Sequence, residues 1–402
     1  MVDLVNEQNR KLDKKVKGYF NLEITTSALC DLSCTYCFEG EKVDPARLDG
    51  DLPLIFKRID AILDNKEWFQ EKYSGLNISL WGGEPTLNPG FIVTLMKKYE
   101  NHDNVDFHLY TNAFNMKNMN KIIEHVDLSK LRVQVSYDGR AINDNFRLSK
   151  NKKTSSNQVI NNLYELARRG VNVSVKSTLP IDSMENIYSC WTDFYEIQEL
   201  LWKVSPTINI NYAPTVDYIT KFTLEEKQGA IEEFRKQFLK IAKREIEFYR
   251  EHGRYLCSWF GGDDNRKHCA AGYNMAAIDQ RGNLYACHGA IYSKHKEELA
   301  HTDIYDDDFV EKLIAYTSKF EKPLQSTAKE CQECVATTCM ICPVASHEKS
   351  DKEEFFDKWK DNWVNELCGF FKTFGEIDRA VQKYIYANMM KSKREKEVEH
   401  GL

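Results

Sequence analysis

Three cysteines stand on one short loop, Cys30, Cys34 and Cys37, spaced C-x3-C-x2-C directly after the strand-like run FNLEITTS. Thiolates at such short spacings ligate iron–sulfur clusters. Three of them hold three irons of a [4Fe–4S] cube and leave the fourth iron open to a small molecule, so the loop points to chemistry rather than scaffolding. Two other readings stand beside this one: a zinc knob, or three unrelated core cysteines. A structural zinc site takes four ligands, and the next cysteine along the chain is the distant Cys190.

A second strand candidate, NISLW over 77–81, runs straight into Trp81-Gly82-Gly83-Glu84-Pro85. Paired glycines at a strand's end let backbone approach a ligand closely, and Glu84 offers an acceptor at the same mouth. The three-cysteine loop, the aromatic Tyr36 before its last cysteine and the following GGEP together resemble the radical S-adenosylmethionine (SAM) superfamily. That resemblance implies a SAM-binding cluster on Cys30, Cys34 and Cys37, with Gly82, Gly83, Glu84 and Pro85 receiving the cofactor's amino group. It also implies that Tyr36 presents its backbone or ring to the adenine. Val135-Ser136-Tyr137-Asp138-Gly139, followed by Asn143 to Arg147, is similar to the fourth-strand segment of peptide-modifying members. There Ser136 would contact the ribose, and Arg147 would pair with the methionine carboxylate in a bidentate, charge-assisted way. The plain alternative is a capping serine and a surface arginine. Thr111, Asn112 and Thr178 sit at expected strand ends, where barrel enzymes keep working groups, without an assigned role.

These residues need a frame. Strand patterns cover 20–27, 77–81, 105–111, 131–137, 171–178 and 207–211, with amphipathic helical stretches between them. The helical stretches start at Leu52 and cover 91–99, 118–126, 157–169, 186–201 and 223–253. Strands alternating with helices imply parallel βα units. The expected fold is α/β: a partial (β/α)6 TIM-like barrel followed by a small cysteine-rich domain with a β-hairpin and helices. Expected boundaries are an N-terminal extension 1–18, the barrel 19–253, the cysteine-rich domain 254–372, and a C-terminal helix and tail 373–402. Gly253 ends the long helix at the main boundary. Beyond it, MAAIDQRGNLY reads as two strands joined by a Gln-Arg-Gly-Asn turn. Helices are expected over 353–366 and 369–390, then a fraying tail.

Apart from the loop and Cys190, which reads as an ordinary buried thiol, eight cysteines remain: Cys257, Cys269, Cys287, Cys331, Cys334, Cys339, Cys342 and Cys368. Their order, with Cys269-Ala-Ala-Gly and Asn283-Leu-Tyr-Ala-Cys287-His288, resembles the SPASM extension of radical SAM enzymes, which carries two auxiliary [4Fe–4S] clusters. Carried over by resemblance, Cys257, Cys269, Cys287 and Cys342 would hold one, and Cys331, Cys334, Cys339 and Cys368 the other. The chain departs from that pattern in shorter intervals around Cys339 and Cys342, in Met340 and Ile341 where glycines are usual, and in a distant Cys257. A cluster with one open iron fits these departures. A zinc site of four thiolates is the rival, but zinc ribbons separate their CxxC pairs more widely.

The net charge of -6 disfavours a nonspecific nucleic-acid binder. No secretory h-region opens the chain and no apolar run approaches a membrane span, so the expectation is a cytoplasmic protein. Twelve cysteines there argue for metal ligation over disulfides. The resemblance implies cleavage of SAM to a 5′-deoxyadenosyl radical, with electrons from a reductant such as flavodoxin or ferredoxin. The implied substrate is a peptide or protein, oxidised, crosslinked through a thioether or carbon bond, or epimerised. The alternative is a dehydrogenase or rearrangement enzyme acting on a small molecule or modified nucleoside. Only 29 residues precede Cys30, so the barrel, the C-terminal domain or a separate partner is expected to recognise a peptide. His288, next to Cys287, is the candidate base; hydrogen bonding to a cluster sulfur or a loop is its other reading.

Overall fold

Period-two alternation in the strands organises the molecule. A computed structural model describes residues 18–39, 48–206, 208–216, 223–261, 269–293, 296–319, 331, 333–334, 336, 339 and 367–399. Within them run β1 (Tyr19–Ser27), α1 (Leu52–Leu63), β2 (Gly75–Gly82), α2 (Pro89–Tyr99), β3 (Val105–Thr111), α3 (Met116–Ile123) and β4 (Leu131–Ser136). Then follow α4 (Arg140–Phe146), α5 (Ser156–Arg168), β5 (Asn172–Leu179), α6 (Ile187–Trp202), β6 (Tyr212–Val216) and α7 (Leu224–His252). The strands β1 to β6 pair in parallel, in sequence order. This is the partial barrel that the alternation of strands and helices implies.

One face of each strand is apolar and sealed. Leu22, Ile24, Leu76, Ile78, Leu80, Phe107, Leu109, Val133, Val135 and Val175 are all essentially without solvent contact. Helices cover this face through residues at i, i+3, i+4 spacing, such as Ile55, Ile59 and Ile62 of α1 or Val159, Leu163 and Leu166 of α5. The alternate residues form the inner face, and they are polar: Asn21, Glu23 and Thr25, then Asn77, Ser79 and Trp81, then Asp106, His108 and Tyr110. Arg132, Gln134 and Ser136 continue it on β4, and Ser174, Lys176 and Thr178 on β5.

Three elements differ from expectation. The sixth strand lies at 212–216, not 207–211. The side-chain amide of Gln198 takes the backbone of the earlier segment, donating to Ile208 O at 2.9 Å and accepting from Ile210 N at 2.9 Å. Pro214 is tolerated because β6 ends the sheet. The hairpin β7 (Met275–Ile278) and β8 (Asn283–Tyr285) forms as expected, yet it is not separate from the barrel sheet. β7 pairs in parallel with β1, and β9 (Thr302–Asp303) pairs with β8, giving the order β6-β5-β4-β3-β2-β1-β7-β8-β9. Helix α8 (Phe309–Thr317) follows. Finally, α9 (Cys368–Glu399) runs through the Lys/Glu-rich run expected to fray, a composition of strong helix formers. Phe370 and Phe374 of α9 pack edge-on against Phe234 and Phe238 of α7, with ring centroids 5.3 and 5.4 Å apart. The helix expected over 353–366, most of the N-terminal extension and Cys342 lie outside the described residues.

Candidate functional site

The cysteine loop leaves the C-terminal end of β1. Cys30, Cys34 and Cys37 form no disulfide, and N–H groups are aimed at the sulfurs of Cys30 and Cys34. Leu32 N donates to Cys30 Sγ at 3.4 Å, Asn112 Nδ2 lies 3.6 Å from the same sulfur, and Arg147 Nη1 lies 4.0 Å from Cys34 Sγ. Donors of this kind stabilise thiolates, so the residues present suit cluster ligation. Among the described residues no three His, Cys, Asp or Glu side chains are gathered tightly enough for a single metal ion.

The two glycines after β2 serve this loop directly. A Cβ on Gly82 (φ 141°) would lie 2.0 Å from Ser27 O, and one on Gly83 would lie 2.5 Å from Leu29 O. Gly83 N and Glu84 N donate to Ser27 O and Leu29 O at 2.9 and 2.8 Å. Both glycines thus make a close approach to the backbone that launches the cysteine loop. Pro85 O accepts from Thr26 Oγ1, tying the same turn to β1. Glu84 is buried and heavily engaged: Oε1 accepts from Thr86 N, Thr86 Oγ1 and Thr111 Oγ1, and Oε2 from Asn112 N at 2.7 Å. Burial outweighs these hydrogen bonds and pushes its carboxyl up to about 7. Oε2, with a single donor, retains acceptor capacity. Thr111 and Asn112 therefore hold Glu84 and the cysteine loop in place.

Asp138, to which the sequence reading gives no task, ties the other side together. It is fully buried and accepts from the Tyr36 hydroxyl, from Arg147 Nε at 2.7 Å and Nη2 at 3.3 Å, and from Thr178 N at 2.7 Å. Arg147 is not on the surface: its guanidinium lies over the Tyr36 ring, 5.2 Å from the centroid, leaving Nη1 toward Cys34. Ser136 ends β4 on the inner face. Gly139 (φ 89°) is required where Cys190 presses on the backbone, since a Cβ would come within 2.5 Å of the Cys190 Cβ. Cys190 is buried there as an ordinary thiol.

His288 follows β8 in sequence but reaches the barrel's inner wall, because β7 pairs with β1. Its ring stacks on Trp81 at 4.0 Å, and Trp81 stacks on Tyr110 at 4.3 Å. Glu23 of β1, which sequence reasoning missed, accepts from His288 N at 2.8 Å and meets Nδ1 at 2.9 Å. Burial opposes protonation of His288, but the Glu23 charge and hydrogen bond prevail and raise its pKa. The legible signal was the alternation Asn21, Glu23, Thr25 within an otherwise apolar strand.

Among the C-terminal cysteines, Cys269 and Cys287 pack together around Ala271, Ala286 and Tyr316. Cys257 is placed elsewhere. It forms a bridge to Tyr212 of β6, and its N–H donates to the buried Glu245 at 2.8 Å. Cys334 and Cys339 flank the main core. Cys331 and Cys368 are partly buried.

Residues 24–187 match the family described as the Radical SAM superfamily. The chain is 22% identical to the cysteine-type anaerobic sulfatase-maturating enzyme of Clostridium novyi, over 89% of this chain and 95% of that protein. It is 23% identical to the serine-type enzyme of Bacteroides thetaiotaomicron, over 76% and 78% of the two chains. The solved structure of native anSMEcpe with bound AdoMet and Cp18Cys peptide superposes with a TM-score of 0.66 at 17% identity, covering 92% of this chain and 99% of the other. Streptococcus suis SuiB bound to the precursor peptide SuiA gives a TM-score of 0.53 at 16% identity, over 90% and 80%. These structures share the fold. Among the described residues no helix is long and apolar enough to cross a membrane.

Proposed function

We propose that this chain is a radical SAM enzyme that abstracts hydrogen from a peptide or protein side chain. The carrying observation is convergence: the cysteine loop, Glu84 and the Arg147–Asp138 pair meet at the C-terminal ends of β1 to β5. A [4Fe–4S] cluster on Cys30, Cys34 and Cys37, with SAM on its open iron, supplies one-electron cleavage to a hydrogen-abstracting radical when bound. The chain's own residues then have separable tasks. Glu84 Oε2 would accept from the cofactor's ammonium, Arg147 Nη1 would take its carboxylate, and Ser136 would meet the ribose. The rings of His288, Trp81 and Tyr110 stack into a wall on the inner face. The Glu23–His288 pair holds a proton beside that wall.

Two features support a peptide substrate: the likeness to sulfatase-maturating enzymes over most of the chain, and the C-terminal cysteines as SPASM-type ligands for two auxiliary clusters. Cys257 is the weakest of those ligands, since it packs in the main core rather than in the cluster that holds Cys269 and Cys287. A flavodoxin or ferredoxin is the reductant in this reading, and the cytoplasm its compartment.

Anaerobically reconstituted protein should form 5′-deoxyadenosine from SAM under strong reductant and bind about twelve irons per chain. Anaerobic co-expression with peptides encoded beside the gene should yield a mass change in one of them. An unmodified set would favour a small-molecule substrate, and no 5′-deoxyadenosine would end the enzymatic reading. A His288→Ala variant with unaltered iron content and product yield would remove the base.

A further inference from the structure

Lys176 has no charged neighbour in its register among the described residues. It lies on β5, in register with Ser136 of β4 and Ala213 of β6. Its inner-face neighbours are Gln134 and Ser136 on β4, Ser174 and Thr178 on its own strand, and Ala213 and Thr215 on β6. None of these carries a charge. Asp138, the nearby carboxylate, has both oxygens taken by Arg147, Tyr36 and Thr178 N. Among the described residues Lys176 has no ion pair, while burial lowers its pKa to about 8. Two register positions from Ala213, the hydroxyl of Thr215 is likewise buried without a partner.

A desolvated ammonium with no counter-charge among the described residues is destabilising, and such groups persist where a ligand completes them. We infer that Lys176, with Thr215 beside it, is the docking point for a carboxylate of the substrate. The inference rests on the reading above, in which SAM occupies the mouth of the barrel. The methionine end of SAM then belongs to Glu84, Arg147 and the cysteine loop. Lys176 stands on the Ser136 side, where the cofactor offers a neutral ribose and adenine. A carboxylate reaching Lys176 therefore arrives with the substrate, either as an acidic side chain or as a chain terminus.

Competitive labelling tests this. Reconstituted protein holding SAM is treated at pH 8 with an amine-acetylating reagent, and Lys176 acetylation is followed by peptide mass spectrometry. A lysine titrating near 8 is about half neutral there, so it should react roughly 100-fold faster than an ordinary lysine of equal access. Millimolar Ac-Gly-Glu-Gly-amide should slow labelling at least tenfold if the carboxylate is a side chain. Ac-Gly-Gly, with a free terminus, should do so instead if it is the chain end. The neutral Ac-Gly-Gln-Gly-amide should have no effect. Equal protection by the glutamine peptide, protection already complete with SAM alone, or no protection by either acid would each overturn the inference. Lys176→Met should melt above the parent and lose any difference in melting temperature between the Glu and Gln peptides; a retained difference would also overturn it. Formation of 5′-deoxyadenosine, measured separately, reports on the radical SAM reading and not on Lys176.

Discussion

Arg147 Nε lies 2.7 Å from Asp138 Oδ2, and the carboxylate it meets is completely buried. Removing one member of a buried pair strands the other and costs about 3–5 kcal/mol. Asp138→Asn should therefore lower the denaturation midpoint sharply and release the Tyr36 hydroxyl and Thr178 N. Arg147→Lys should not substitute, because an ammonium cannot span both Asp138 oxygens. The double variant Asp138→Asn/Arg147→Met should be less destabilised than the sum of its single changes, as urea unfolding of all the variants will show.

Gly83→Ala places a methyl group 2.5 Å from Leu29 O and 2.6 Å from Ala28 O. Backbone must move to admit it, at a cost of at least ~2 kcal/mol. The moving segment carries Cys30, so iron bound to the first cluster should drop as well. Iron content and melting temperature check both parts.

Glu84 carries a pH signature. Its folded-state pKa of about 7 is above the unfolded value of about 4.3. The unfolded chain therefore ionises first, and the stabilisation present below pH ~4.3 is lost as pH rises toward 7. Urea midpoints of the parent should fall across this window relative to those of Glu84→Gln. Parallel profiles would show that burial does not penalise the Glu84 charge.

Glu23→Gln should lower the pKa of His288. Burial already favours the neutral imidazole, and the Glu23 carboxylate is what overcomes it. Proton NMR titration of the histidine Cε1 resonance measures the change directly. By linkage, the His288 contribution to stability is present below pH ~6.5 and is lost as pH rises through its raised folded-state value. The variant should lose that dependence.

Much of the site could be read locally. The cysteine spacing, GGEP and the segment from Ser136 to Arg147 each lie within a dozen residues, and the strand–helix alternation placed five of six barrel strands. The sixth was displaced because Gln198, on a neighbouring helix, competes for the backbone of 208–210. What the paired glycines approach is likewise decided outside their own segment. A glycine signals a close approach, but the sequence does not say what approaches, and here it is the Ser27–Leu29 backbone.

The order of chemistry-bearing residues and the period of the strands are properties of neighbours in sequence, so sequence by itself determined the barrel and its cysteine loop. Which inner-face residues meet depends on strand register and on one long-range pairing. The parallel contact of β1 with β7 brings His288 to Glu23 across 265 positions, and the β4–β5 register sets Lys176 beside Ser136, with no counter-charge among the described residues. Such contacts are selected by burial and sheet geometry acting over the whole chain. No local pattern encodes them, and only the tertiary structure decided them.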